Sequence, residues 1–360
     1  MTYKGKLQET AVRFPNTDIW LDSCNAEDIK YSLERGAVGA TTNPLIVGAV
    51  IKKEINIWES TIKEVITENK SFNEEEIAWT VIEAMARERA EMLLPIYEQY
   101  NGLKGRLSIQ TNAKFYRNWE AMLEQAIRFN KLGKNMQVKM PACEAGIKAF
   151  EEATYQGISI NATVSFTVAQ AVAVAEAVER GLKRRESEGF STEAMSPVCT
   201  IMIGRTDDWI KEVVKNDDLL IDPECMEWAG VAVIKHAYEI YKKRGYRTRL
   251  LSAAYRNHYH WSQLVGGDLA MTIPTDWQRK INESNIPVEN NIDVPVKEEY
   301  MRQLRSIPEF IKAYEEDGMT IAEFERYGAV RRTLTGFLGG YDDLINLIRG
   351  YMITDPFKDR

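Results

Sequence analysis

Residues 18–44, DIWLDSCNAEDIKYSLERGAVGATTNP, decide how this chain folds. The apolar run Ile19-Trp20-Leu21 ends on Asp22, as a short buried strand does. Asn25, with Glu27 and Asp28 behind it, has the form of a helix start: a side-chain oxygen for a free N–H, and acids where the helix dipole favours them. The helix through Leu33 stops at Gly36, which tolerates the left-handed backbone of a C-cap. Val38-Gly39-Ala40-Thr41-Thr42 is a second strand, and Pro44 ends regular pairing. Two strands joined by a helix lie parallel, so this stretch is one β/α unit.

The unit repeats along the chain. Further strands are predicted at Arg106–Gln110, Met136–Met140, Ile158–Asn161, Val198–Ile203, Arg249–Ala253 and Leu269–Ile273. Helical patterns separate most of them, at Tyr116–Leu132, Glu144–Tyr155, Thr167–Gly181, Asp222–Gly245 and Asn257–Val265, and residues 44–101 read as helical throughout. Eight alternating strands are the content of a closed α/β barrel, the (β/α)8 or TIM barrel, here expected over residues 1–274. The rival, an open doubly wound sheet, would want a GxGxxG turn after an early strand, and none is present. Residues 275–298 are polar and read as a loop. Residues 299–360 read as a helical appendage, with the amphipathic series Leu344, Ile345, Leu347, Ile348 and Tyr351 near its end. The appendage is expected to pack on the barrel.

Composition narrows the function. The 360 residues carry 46 Lys plus Arg against 53 Asp plus Glu, a net charge of −7, which argues against a general nucleic-acid coat. A small basic pocket for an anionic metabolite remains compatible with it. No run of about 18 apolar residues occurs, so no membrane-spanning helix is expected. The first residues lack the apolar core of a signal peptide, and the four cysteines form no CxxC pair; reduced thiols in a cytoplasmic protein are expected. Three histidines, without cysteines or acids at ligand spacing, point to no metal, and cofactor-free chemistry is the working expectation. Self-association into a homo-oligomer is left open.

In a barrel of this kind chemistry gathers at the C-terminal ends of the strands. Asp22, Asn43, Gln110, Asn161 and Thr163 fall at such ends, Thr200 and Arg205 flank the sixth strand, and Arg256 follows the seventh. Lys139 is the sharpest of these. In Gln137-Val138-Lys139-Met140-Pro141 alternation sets it on the opposite face from Val138 and Met140, which is the barrel interior if those two meet the helices. A buried ammonium is costly unless paired or neutral. Three readings follow: a buried ion pair, a lysine reaching out at the strand end, or a neutral amine able to attack a carbonyl and form a Schiff base. Lowering a lysine pKa from about 10.4 toward 7 takes roughly 4–5 kcal/mol, within reach of desolvation and nearby cations. Arg205 and Arg256 suit an anion by their planar donor forks, and as readily a salt bridge at a helix start and a helix cap.

These residues resemble the transaldolase family. The matching segments are Asp18–Asp22, Thr41-Thr42-Asn43-Pro44-Leu45, Val138-Lys139 with Glu144–Lys148, Gly157–Phe166 with Ala169-Gln170-Ala171, Gly204-Arg205 and Tyr255-Arg256-Asn257, in the family's order from about residue 18 to 273. The resemblance implies a class I, Schiff-base-forming enzyme of carbohydrate metabolism, as in the pentose phosphate pathway. It would move a dihydroxyacetone unit from a ketose phosphate to an aldose phosphate. It implies Lys139 as the imine-forming lysine, Asp22 as the acid/base, Thr163 near the catalytic water, Asn43 and Asn161 on the dihydroxyacetone unit, and Arg205 and Arg256 on phosphate. Four positions depart from the pattern. Gln110 replaces the usual glutamate, as in the related fructose-6-phosphate aldolases; Met202 replaces an aromatic residue; Ala254 and Thr200 replace serines. Gln110 leans toward free aldol cleavage. Met202, lacking a hydroxyl, leans toward transfer, and Ala254 leaves room for another anion such as a sulfosugar. A non-enzymatic sugar-phosphate binder or a metal-dependent aldolase fits less well, since Lys139 and Asp22 are present and histidines are scarce.

Overall fold

A computed structural model describes residues 2–353 and 357. Eight parallel strands close into a barrel in chain order: β1 (Thr17–Asp22), β2 (Ala37–Thr41), β3 (Arg106–Gln110), β4 (Met136–Pro141), β5 (Ile160–Ser165), β6 (Val198–Ile201), β7 (Arg249–Ser252) and β8 (Leu269–Ile273). β8 pairs back onto β1, with Thr17 opposite Leu269 and Leu21 opposite Ile273, so no strand edge is left open. The expected (β/α)8 barrel is therefore what this chain forms.

Alternation decides which residues fill the barrel. Ile109, Val138, Met140, Ile160 and Ala162 are buried under the surrounding helices. The intervening positions of the same strands, Ser108, Gln110, Gln137, Lys139, Asn161 and Thr163, are polar and equally buried. The Trp20 ring lies against Gly39, where an added Cβ would stand 2.6 Å from the indole, so the second strand needs a glycine there. At the N-terminal rim Asp18 accepts from Lys104 and Arg249, each at 2.6 Å, a pair of ion pairs that joins β1, β7 and the turn before β3.

Several expected boundaries move. The region 44–101 is three helices, Pro44–Lys53, Ile55–Glu68 and Glu74–Gln99, the last opened by a capping box between Asn73 and Glu76. The fifth strand runs past the expected Asn161 to Ser165, through a bulge at Val164. The sixth strand stops at Ile201, because Ile203 opens the helix Ile203–Asn216, which the sequence reading missed together with Lys6–Arg13. The segment 222–245 is two helices, Pro223–Met226 and Ala229–Arg244, and 257–265 holds a single turn, Tyr259–Ser262. Residues 275–298 are not irregular throughout: Thr275–Glu283 is an amphipathic helix whose buried Gln278 ties it to the Ile273 and Trp20 carbonyls.

The helical expectation for 299–360 is met over Glu298–Leu304, Pro308–Tyr314 and Gly328–Met352, with a 3-10 helix at Ile321–Arg326. Residues 354–356 and 358–360 lie outside the described residues. The long helix Gly328–Met352 packs on Pro44–Lys53 and Glu74–Gln99 and meets β5 and the start of Ile203–Asn216. Its Gly340 receives the Leu45 side chain, and its buried Tyr341 accepts the Trp79 indole N–H at 2.9 Å. Among the described residues no helix is long and apolar enough to cross a membrane.

Candidate active site

The strand register assembles the site. Gln110 on β3 is opposite Lys139 on β4, and Lys139 is opposite Asn161 on β5, so three polar side chains stand side by side on the inner face. On the other side of the barrel Asp22 is opposite Thr41 and accepts its hydroxyl at 2.8 Å. The Thr41 oxygen is also 2.7 Å from Thr272 Oγ1 on β8. Since the only Thr41 hydroxyl hydrogen goes to the carboxylate, Thr272 is the donor in that contact.

Lys139 is 3% exposed, and it feels both Asp22 and Arg205. Burial pulls its ammonium below the usual lysine range; Asp22 opposes this and the Arg205 cation adds to it. Asp22 keeps some solvent access, yet it is surrounded closely enough that desolvation raises its pKa against the pull of Lys139, Thr41 and Arg205. The two groups are thus driven toward one another in proton affinity, which is what a nucleophilic amine and a proton-shuttling acid require. An amine so placed can add to a carbonyl, and the carboxyl can accept or return a hydroxyl proton.

Asn161 is held rigidly. Its amide nitrogen donates to Ser108 Oγ at 2.9 Å, and its oxygen accepts from Thr200 Oγ1 at 2.7 Å. Thr200 therefore orients Asn161, with its one hydrogen used within the protein. Among the described residues the Thr163 hydroxyl has only the Met202 sulfur, at 3.9 Å, as hydrogen-bond partner, a weak acceptor. Gln110 Oε1 is buried and has no hydrogen-bond partner among the described residues. Asn43 uses its oxygen to cap the helix Pro44–Lys53, accepting the Ile46 N–H at 3.0 Å.

The arginines approach from the mouth. Arg205, in the first turn of Ile203–Asn216, donates to Thr333 Oγ1 at 3.2 Å, and its guanidinium lies 5.6 Å from the Phe337 ring centroid. Burial and the neighbouring Arg256 both lower its pKa, with Asp208 and Asp22 opposing. Arg256 forms a forked pair with Asp208, at 2.8 Å for Nη2 and 3.0 Å for Nε. The helix-start salt bridge expected as the alternative for Arg205 is thus made instead by Arg256, for which a helix cap was the alternative, and it leaves the Arg256 guanidinium half-exposed at the rim. Gly204 brings the two segments together: a methyl there would run into the Ala254 carbonyl.

Val164 and Ala254 have φ of 53° and 65°, a left-handed backbone that costs a non-glycine residue about 1–3 kcal/mol. Val164 follows Thr163 and Ala254 stands two residues before Arg256, while the other two left-handed non-glycine residues described, Asn101 and Asp218, lie away from the site. Thr272, Ser108, Thr333 and Phe337 escaped the sequence reading; Thr41 and Tyr255 stood there in matching segments without a role, and Tyr255 is a buried phenol 3.0 Å from Ser252 Oγ and within electrostatic reach of Asp22. Inward alternation could have found Ser108 and Thr272; nothing local marks Thr333 or Phe337. Among the described residues no group of three or more His, Cys, Asp and Glu side chains converges.

Comparison with known proteins shows the family of this chain. A sequence model of the family described as Transaldolase/Fructose-6-phosphate aldolase matches residues 19–326. Transaldolase 2 of Nostoc sp. (strain PCC 7120) is 27% identical over 293 residues, covering 71% of this chain and 76% of that protein. Transaldolase 2 of Nostoc punctiforme is 28% identical over 295 residues with the same coverage. Transaldolase of Mycobacterium tuberculosis (strain H37Rv) is 26% identical over 244 residues, 65% of this chain and 64% of that one.

Proposed function

Because this chain belongs to the transaldolase/fructose-6-phosphate aldolase family, we propose that it is a transaldolase working through a Schiff base on Lys139. The observation that carries the reading is the pairing of a desolvated Lys139 with a desolvated Asp22 inside the barrel. In the proposed reaction the neutral amine adds to the ketose carbonyl, and loss of water gives the imine. Asp22 takes the proton of the C4 hydroxyl, the C3–C4 bond breaks, and the electron pair is held as the enamine. The aldose leaves, an acceptor aldose phosphate adds to the enamine, Asp22 returns the proton, and water added across the new imine releases the product ketose and the free Lys139 amine. Asn161, fixed by Ser108 and Thr200, and the Asn43 amide hydrogens, which have no partner among the described residues, are suited to the hydroxyls of the dihydroxyacetone unit. Arg205 and Arg256 are suited to the anionic end, with the phosphate taking the place of Asp208 on Arg256.

A second reading, free aldol cleavage, is favoured by one observation. The Gln110 amide, in register with Lys139 and with its oxygen unpartnered, is suited to orient a water for release of the intermediate. Met202 beside Thr163 favours transfer, since it offers no hydroxyl to protonate the enamine. Assays with fructose 6-phosphate and sedoheptulose 7-phosphate, with and without erythrose 4-phosphate, separate the two. Transfer requires the acceptor; equal turnover without it would establish the aldolase. A sulfonated ketose in the same panel tests the nature of the anion. Arg256→Ala should raise KM for the phosphorylated ketose by roughly tenfold or more, the worth of a charge-assisted bidentate contact, and leave KM for the unphosphorylated sugar unchanged. Equal effects on both would remove Arg256 from the anion site.

The electrostatics give a further expected result. Addition of Lys139 needs the neutral amine, so kcat/KM falls as pH drops through its lowered pKa. Arg205 contributes to that lowering, and Arg205→Ala should move this limb of the profile to higher pH. The profile is measured with an unphosphorylated ketose, so that lost phosphate binding does not intrude. A limb that stays in place or moves to lower pH would dissociate Arg205 from the amine.

A further inference from the structure

Adjoining the two arginines is a fully buried ionisable pair that the chemistry above does not use, Asp207 and His260. His260 Nε2 is 2.7 Å from Asp207 Oδ2, and Asp207 Oδ1 accepts the Gly230 N–H at 2.8 Å. The other ring nitrogen, Nδ1, accepts the backbone N–H of Arg256 at 3.1 Å. Asn257 Nδ2 is 3.3 Å from Nε2, but its hydrogens have better acceptors in the Glu227 carboxylate, at 2.8 Å, and the Glu227 carbonyl.

This pattern fixes every proton. A backbone N–H can only donate, so Nδ1 must present its lone pair and the ring hydrogen sits on Nε2. Nε2–H then needs an acceptor in Asp207 Oδ2. Both oxygens of Asp207 accept, which makes the group a carboxylate. Burial works against that charge; the imidazole, the Gly230 N–H in the first turn of Ala229–Arg244 and the nearby Lys211 work for it. Asp207 lies two residues after Arg205 on its helix, and His260 four residues after Arg256. The pair therefore ties together the two segments that bear the arginines, while Gly204 lets the same segments touch at the Ala254 carbonyl.

We infer that Asp207 and His260 are positioning residues for the anion-binding end of the site: the carboxylate fixes the imidazole tautomer, and the imidazole lone pair fixes the Arg256 backbone relative to Arg205. The inference rests on the reading that Arg205 and Arg256 receive the anionic end of the sugar. Asp207→Asn turns an NH2 group toward Nε2–H. Relief of that clash moves the ring hydrogen to Nδ1, where it opposes the Arg256 N–H. Two double variants keep the interior neutral. In D207N/H260Q the Gln amide oxygen can accept from Asn, so the buried pair stays bonded, but nothing replaces Nδ1. In D207N/H260N the shorter amide oxygen stands near the Nδ1 position and again accepts from Arg256.

The test measures KM and kcat with fructose 6-phosphate and with fructose, and the dissociation constant of inorganic phosphate from its protection against thermal unfolding. D207N and D207N/H260Q should weaken phosphate and raise KM for fructose 6-phosphate by about tenfold, with kcat and the KM for fructose within twofold of the parent. D207N/H260N should recover most of the loss. Wild-type phosphate affinity in D207N/H260Q, or a parallel rise in both KM values, would overturn the inference, as would equal behaviour of the two double variants. Arg256→Ala is the control for the underlying reading: if it leaves phosphate binding intact, that reading fails, independently of the buried pair.

Discussion

Lys139→Met should lower kcat by at least about 10^4-fold, equivalent to about 5.4 kcal/mol of barrier, the scale of loss when a covalent nucleophile is removed. Methionine has nearly the length of the lysine stem and no nucleophile, so packing between Gln110 and Asn161 is preserved while the amine is lost. The substitution also removes the cation that does most to favour the Asp22 carboxylate, so a thermal unfolding curve, expected to keep a single cooperative transition, accompanies the assay. The measurement pairs turnover with borohydride trapping. The parent protein incubated with a ketose phosphate and borohydride should gain a reduced adduct on the peptide holding Lys139, and the variant should gain none. Residual turnover near the parent rate, or an adduct on another lysine, would end the Schiff-base proposal.

Asp22→Asn should cost kcat roughly 10^2 to 10^4-fold, the usual contribution of a positioned acid/base. The amide can still accept the Thr41 hydroxyl, so the local hydrogen bonding survives. The variant separates two steps that Lys139→Met removes together. Asp22 raises the lysine pKa through its charge; without it the amine is more often neutral, and imine formation is not impaired. Borohydride should therefore still trap the ketose on Lys139 while C–C cleavage stalls. An Asp22→Asn protein that releases aldose at the parent rate would transfer the acid/base role elsewhere, and the buried Tyr255 phenol near Asp22 would be the next group to replace.

The parts of this fold that were legible are those written in local periodicity. β1, β2, β3, β4, β7 and β8 end within a residue of their expected positions, since a short run closed by a polar residue or a proline is a signal contained in the run itself. The misread places have specific causes. The helix Ile203–Asn216 begins with Gly204 and a polar series, Arg205 to Asp208, that suppresses helical periodicity at its start. Gly204 is there because the Ala254 carbonyl passes too close for a side chain, a requirement set by β7, which is remote in sequence. The helix Thr275–Glu283 is mostly polar on its outer face, and only Gln278 and Ile281 are buried, so composition made it look like a loop.

The candidate site divides in the same way. Lys139, Asp22, Gln110, Asn161 and Thr163 could be named because each is a polar residue within, or close after, a short strand-like run. Thr200 could be named too, but its role as the support of Asn161 appears only when β5 and β6 are side by side. His260 is one of the three histidines that have no acid at ligand spacing; its partner is Asp207, in a helix that the sequence did not reveal. Thr333 and Phe337 belong to a tail with no strand signal, and they meet Arg205 across more than a hundred residues of chain.

By itself, the order of residues determined the alternation of strand and helix, the face on which Lys139 emerges, and the inventory of groups at the barrel mouth, because these depend on neighbours two to four positions away. Tertiary structure alone decided the proton affinities of Lys139 and Asp22, the engagement of Arg256 by Asp208, and the covering of Arg205 by the last long helix. Charge–charge energies and desolvation are set by distances through space and by the dielectric of what surrounds a group, and neither is written in the spacing of residues along a chain.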